Sequence, residues 1–306
     1  MPRPLRVATR GSELARFQAN RVVELLRVEA ELVIVSTRGD EQTDTPIHAL
    51  GGTGVFTKEV QRAVLDGRAD IAVHSAKDLP ASDTPEGVVL AAVPERADPR
   101  DALVGRALAD LPPGARVATG SVRRRAQLAA LRPDLTFAEL RGNIPTRLRL
   151  AAHFDAVVVA AAALARLGHL DRAAELLDPS LVLPQVGQGA LAIECRVDDH
   201  DARARLAAID DRGAHLAVGA ERAFLARLGG GCDLPCGALA QVVGGEVRIE
   251  GLLASPDGHV VLRRTHHGHD PVAVGTTAAE ELLDRGGRDL LDGHGLAGPG
   301  LAEPGP

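Results

Sequence analysis

An α/β fold ending in a smaller α+β unit is predicted from three observations. Short apolar strands alternate with helical patterns, polar turns follow the strands, and towards the C-terminus hairpin signals replace the alternation. Leu5 to Thr9 reads as a strand, Ser12 caps a helix running to Val28, and Leu32 to Val35 is a second buried strand, which together make a βαβ unit. Lys58 to Leu65 reads as a helix, and Ile71 to Val73 and Val88 to Val93 as strands. Prolines 94, 99, 112 and 113 then break the pattern, and a linker is expected near residues 94 to 98. A second series follows: strand Arg116 to Ala118, helix from Ser121, strand Thr136 to Leu140, helix from Ile144, strand Asp155 to Val159. Both series predict parallel sheet with helical crossovers. Past Gly187-Gln188-Gly189 come a short strand to Glu194 and helices at Ala202 to Ile209 and Ala214 to Leu228. Hairpin signals at Gly244-Gly245 and Ser255 to Gly258 and a helix near Thr276 to Leu283 complete the chain. The Gly/Pro-rich tail is expected to be disordered.

Composition narrows the function classes. The 306 residues are 45% hydrophobic but only 2% aromatic, with no Trp or Tyr, so a stacking platform for nucleic-acid bases is not expected. Cys195, Cys232 and Cys236 are too few for a disulfide framework and lack zinc-site spacing, so no metal is expected, and reduced thiols fit the cytoplasm. The N-terminal residues enter a strand pattern without a signal-like apolar run, and no run is long enough to span a bilayer, which predicts a soluble chain without a membrane partner.

The net charge of −6 hides a local imbalance. Between Arg116 and Arg149 lie eight arginines and two acids, a surplus of six positive charges without a lysine. Arginine suits a bidentate grip on carboxylate or phosphate, and the acidic remainder of the chain favours a compact polyanionic small molecule over nucleic acid. A solvated helix face is the competing reading.

Ligands of open α/β sheets gather at the carboxyl ends of strands, and four polar turns fall there. These are Thr9-Arg10-Gly11-Ser12, His74-Ser75-Ala76-Lys77-Asp78, Thr119-Gly120-Ser121-Val122-Arg123-Arg124 and Leu140-Arg141-Gly142-Asn143, the last followed by Arg147. Each alone is an ordinary cap or turn, but every one carries Arg or Lys. Asp78 is an acid among bases: it either handles protons and developing cations or makes a surface ion pair, and the residues alone do not choose. Gly51-Gly52-Thr53-Gly54, with Phe56 beyond it, reads as a lid over a cleft or as a plain hairpin loop. Cys232 stands in Gly229-Gly230-Gly231-Cys232, a loop bare enough for something large to reach the thiol.

Together these segments resemble the porphobilinogen deaminase (hydroxymethylbilane synthase) family. The resemblance is carried by Val7-Ala8-Thr9-Arg10, Thr37-Arg38-Gly39-Asp40, Asp70 to Pro80, Arg96-Ala97-Asp98-Pro99-Arg100-Asp101-Ala102, Leu140-Arg141-Gly142-Asn143, Val186-Gly187-Gln188-Gly189-Ala190, Ile193-Glu194-Cys195-Arg196 and Gly230-Gly231-Cys232, in family order. It implies two domains like those of periplasmic binding proteins, residues 1–95 with 188–208 and residues 96–187. A third, residues 209–293, presents the cysteine, and 294–306 form the tail.

The resemblance further implies that Cys232 carries a dipyrromethane cofactor as a thioether. Arg10, Arg123, Arg124, Arg141, Arg147 and Arg166 would then bind pyrrole carboxylates, with Ser75, Lys77, Thr119, Ser121, Asn143 and Gln188 in support. Asp78 would serve the chemistry: four porphobilinogen molecules are deaminated and joined head to tail, and hydroxymethylbilane is released. The family also suggests a monomer. Ala49 and Thr53 depart from relatives that carry lysines in the lid stretch, and Cys236 is expected to pack in the core. A non-catalytic anion receptor and a nucleic-acid binder are the alternatives from other classes.

Overall fold

The computed structural model describes residues 3–36, 57–82, 84–230 and 234–292. Its first sheet opens with β1 (Leu5–Arg10), α1 (Glu13–Leu26), β2 (Ala30–Val35), α2 (Lys58–Leu65), β3 (Ile71–Ser75) and β4 (Val88–Ala92). The helix α1 begins where a cap was expected, with the Ser12 hydroxyl accepting from the Ala15 N–H. β2, β1 and β3 run parallel, and β10 (Leu191–Arg196) lies antiparallel between β3 and β4, giving the order β2-β1-β3-β10-β4. Leu5, Val7, Ile71, Val73 and Ile193 pack with Ala19 and Val22 of α1 to form the core on one face.

The second sheet is built from β5 (Asp101–Gly105), β6 (Arg116–Ala118), α3 (Val122–Leu131), β7 (Thr136–Ala138), α4 (Ile144–Leu150), β8 (Ala156–Ala160), α5 (Ala161–Arg166) and β9 (Ala173–Leu176). Its order, β7-β6-β8-β5-β9, repeats that of the first sheet strand for strand. β8 is buried along its whole length, as its unbroken apolar run demands of a strand covered on both faces.

Neither sheet is wholly parallel. β10 is antiparallel to β3 and β4, and β5 is antiparallel to β8 and β9. The parallel expectation holds for strands joined by helices within one sheet. β5 and β10 instead follow segments that pass from one sheet to the other, 93–100 outward and 177–190 back, so each enters its sheet from the opposite end. The two passages lie side by side, with the Ala97 N–H donating to the Gly189 carbonyl at 3.2 Å.

After β10 come α6 (His200–Ala207) and α7 (Arg212–Arg227), then an antiparallel sheet β11 (Cys236–Val243), β12 (Glu246–Ala254), β13 (Val261–Gly268), and α8 (Pro271–Leu282) and α9 (Arg288–Leu291). Gly244 and Gly245 both have positive φ and close the predicted hairpin between β11 and β12. α8 starts earlier than the sequence suggested because Asp270 caps it, accepting from the N–H groups of Val272 and Ala273 at 2.8 and 3.1 Å, with Pro271 in its first turn. α7 and α8 cover one face of this sheet around Phe224, which is fully buried.

Candidate active site

The polar turns that follow β1, β3, β6 and β7 face one another across the junction of the two large sheets. Asp78 ends a single 3-10 turn, Ala76–Asp78, directly after β3. With Arg10, Ser12, Gln18, Thr57, His74 and Ser75 it lines one recess. Gln18 fixes Ser75 by donating to its hydroxyl at 2.9 Å. The turn rests against the returning passage: Gly187 has φ +71°, and a Cβ there would stand 2.9 Å from Ala76 C and Lys77 N.

The second sheet supplies most of the cations. Ser121 caps α3, and its N–H donates to Thr119 Oγ1 at 3.2 Å. Asn143 caps α4, accepting from Thr146 N–H at 3.0 Å. Arg147 donates Nε–H to the Gly142 carbonyl at 2.8 Å, and Arg166 donates Nη2–H to the Gly189 carbonyl at 2.7 Å. Arg123 and Arg124, expected to bind pyrrole carboxylates, face a carboxylate of the protein itself. Both are buried, and both face Asp101: Arg123 Nη2 lies 2.8 Å from Asp101 Oδ2, and Arg124 donates Nε–H and Nη2–H to Oδ1 at 2.9 and 2.7 Å. Gln188 donates to the same Oδ1 at 2.8 Å and to the Pro99 carbonyl at 2.7 Å, so it stitches together the two passages.

Electrostatics shows what this cleft lacks. Burial pushes the Lys77 ammonium down to about 8, with Arg124 and Arg147 pushing the same way against Asp78 and Asp101. Arg147 is pushed down to about 10 by burial, with Arg124 and Arg141 adding to the effect and Asp78 opposing it. Arg166 is pushed down to about 10 by burial. Burial first, and then neighbouring cations, disfavour the charged forms of Lys77 and Arg147 against the opposing pull of Asp78 and Asp101, an environment suited to a group bearing carboxylates. The donor set fits such a group.

Sequence reasoning passed over several of the polar residues that hold this arrangement. Asp101 is one. Arg96 and Glu221 are others: Arg96 donates to both Glu221 oxygens at 2.5 and 3.1 Å and to the Gln188 carbonyl at 2.9 Å. Glu221 also accepts from the N–H groups of Gly187 and Ala240 at 2.7 and 2.8 Å, tying α7 and β11 to the returning passage. For Arg96 and Asp101 the available signal was a charged residue within the Pro-bounded segment Arg96 to Ala102, whereas Glu221, in the middle of α7, offered none. Cys232 and the expected lid residues Gly51, Gly52, Thr53, Gly54 and Phe56 lie outside the described residues, as does the tail 294–306. Cys236 is buried at the start of β11, as expected. Among the described residues no group of His, Cys, Asp or Glu is arranged to hold a metal, and no helix is long and apolar enough to cross a membrane.

Two five-stranded α/β sheets whose polar strand-end turns bring Lys77, Arg124 and Arg147 within electrostatic reach of one another define an α/β protein with a cation-rich junction. The family model described as "Porphobilinogen deaminase, dipyromethane cofactor binding domain" matches residues 5–204, and that of the "Porphobilinogen deaminase, C-terminal domain" matches residues 215–284. The porphobilinogen deaminase of Roseiflexus sp. (strain RS-1) is 48% identical over 305 residues, covering 96% of this chain and all of the relative. That of Brevibacillus brevis is 45% identical over 297 residues, covering 94% of this chain and 96% of the relative. Among solved structures, an ancestral cationic amino acid solute binding protein aligns with 67% of this chain and 88% of its own, at TM-score 0.39 and 13% identity. The chain belongs to the porphobilinogen deaminase family.

Proposed function

We propose that this chain is a transferase that deaminates four porphobilinogen molecules, joins them head to tail on a dipyrromethane primer held by Cys232, and releases hydroxymethylbilane by hydrolysis, a step of tetrapyrrole biosynthesis. The observation that carries the reading is the placement of Asp78: a carboxylate on a tight turn at a strand end, electrostatically coupled to Lys77 beside it and to Arg147 across the cleft.

The residues divide the work. Arg10, Arg141, Arg147, Arg166 and Lys77 hold pyrrole acetate and propionate groups, with Ser75, Thr119, Ser121, Asn143 and Gln188 shaping the walls. Arg123 and Arg124, neutralised in part by Asp101, support the cleft floor and lend their remaining N–H groups. Asp78 accepts pyrrole N–H hydrogen bonds and stabilises the positive charge left on the substrate as ammonia departs. The dipyrromethane group, when bound, supplies a free pyrrole α-carbon as the nucleophile. We assign residues 1–95 with 188–208, 96–187 and 209–293 to three domains, the last presenting the cysteine, and take the protein to act as a cytoplasmic monomer. A nucleic-acid role is disfavoured because Arg123 and Arg124, from the most basic stretch, are buried.

Intact mass of the denatured protein, with peptide mapping around Cys232, tests the reading. An excess of two linked pyrrole units on that cysteine, or its appearance on adding porphobilinogen, is the expected result. A folded protein that neither carries nor gains the adduct would overturn it in favour of an anion receptor.

A further inference from the structure

Behind the Asp78 turn lies a second polar cluster that the cleft chemistry does not use. Glu194 on β10 pairs across the sheet with Ala72 of β3, and two positions along, on the same face, Ala192 pairs with His74. His74 Nε2 stands 3.1 Å from Glu194 Oε2. Gln61 of α2 donates from Nε2 to both Glu194 oxygens at 3.1 and 3.0 Å. Glu194 and Gln61 are each 1% exposed and His74 5%, so the cluster is out of reach of bulk water.

Arg222, on α7, completes it. Its positive charge acts on Glu194, and its Nη1–H points to the Leu79 carbonyl, one residue past Asp78, at 3.5 Å. Burial alone would raise the Glu194 carboxyl, but His74, Gln61 and Arg222 outweigh it and hold the group below the ordinary glutamate value. His74 also lines the recess shared by Asp78, Arg10 and Ser75.

His74 of β3 and Gln61 of α2 thus meet one carboxylate carried by β10, and Arg222 of α7 acts on it through its charge. Two of them bracket the Asp78 turn, His74 just before it and Arg222 on the carbonyl just after it. A buried ion cluster adds little net stability over an apolar core, so its effect lies in fixing geometry. We propose that Glu194 is a positioning residue for Asp78: through His74 and Arg222 it fixes both ends of the turn from Ser75 to Leu79, and with them the direction in which the Asp78 carboxylate meets substrate. This inference rests on the transferase reading above.

The test is a double-mutant cycle on turnover of porphobilinogen, with folding followed by thermal unfolding and primer occupancy by intact mass. Glu194→Gln keeps the size of the side chain and one accepting oxygen but removes the charge and turns the other oxygen into a donating NH2. It is expected to lower kcat by about tenfold with KM changed by less than about twofold, at unchanged primer occupancy. Placed on Asp78→Glu, whose carboxylate is already displaced, Glu194→Gln is expected to cost less than about a further twofold. Independent, multiplying losses, or a wild-type kcat in Glu194→Gln, overturn the inference while leaving the transferase reading intact. If Glu194→Gln does not fold, Gln61→Met, which removes one support from the same carboxylate, carries the same expectation of non-additivity with Asp78→Glu. A wild-type protein that does not turn over porphobilinogen overturns the transferase reading and this inference with it.

Discussion

Asp101 and Arg124 form a closed ion pair at the junction of the two large sheets, where Asp101 Oδ1 accepts from both Nε and Nη2 of Arg124 and the two side chains are 0% and 6% exposed. Arg123 approaches the other carboxylate oxygen, and Gln188 donates to the first. One aspartate therefore organises two arginines from α3 and a glutamine from the returning passage, and it does so at the first residue of β5.

Removing that charge leaves two buried guanidinium groups without their counter-ion. Asp101→Asn is expected to destabilise the fold by about 3–5 kcal/mol, read from the denaturant midpoint. The arginines hold the Asp101 carboxyl well below the usual range although burial acts to raise it. Its contribution is therefore complete above the unfolded value of about 4, and is lost as pH falls from there towards the depressed folded value. The stability gap between wild type and Asp101→Asn should accordingly close in acid; a gap unchanged from pH 7 to strong acid would refute the assignment.

Lys77 sets an alkaline limit. With its ammonium pushed down to about 8 by burial and the neighbouring arginines, its charge is lost on the alkaline side of neutrality in the ligand-free protein. The kcat/KM profile for porphobilinogen is expected to fall above about that pH, and Lys77→Met to remove this limb along with most of the activity. In the folding equilibrium the sign is opposite to that of an ordinary stabilising pair. Between the folded value and the ordinary lysine value the unfolded chain binds more protons, so this group's contribution to stability rises with pH there.

Asp78→Asn keeps the size of the side chain and removes its charge. Turnover is expected to drop by about 10²–10⁴-fold, while the mass excess proposed for Cys232 is retained. Retained turnover would take Asp78 out of the chemistry.

Gly187→Ala tests the coupling between the returning passage and the Asp78 turn. The added Cβ meets backbone atoms of Ala76 and Lys77 at 2.9 Å from a residue with φ +71°. A loss of more than about 1 kcal/mol of stability, accompanied by a fall in kcat, is expected, and a neutral variant would show that the turn tolerates displacement.

Most helices and strands were legible in the residues because their signals are local. The Ser12, Ser121 and Asn143 caps, the Lys58–Leu65 helix and the Gly244-Gly245 hairpin each depend on neighbours within a few positions. The α/β class, the arginine surplus and the polar strand ends follow from the same local patterns. What only the tertiary structure decided depends on the two passages between sheets, because strand direction after a crossing is not encoded in the strand itself. That is why β5 and β10 run antiparallel, and why Asp101, at the start of β5, reaches Arg123 and Arg124 more than twenty positions along the chain. The sequence determined which charges the protein carries. Burial and pairing, which are properties of the folded chain, decided which of them are spent on holding the cleft together and which are left facing into it.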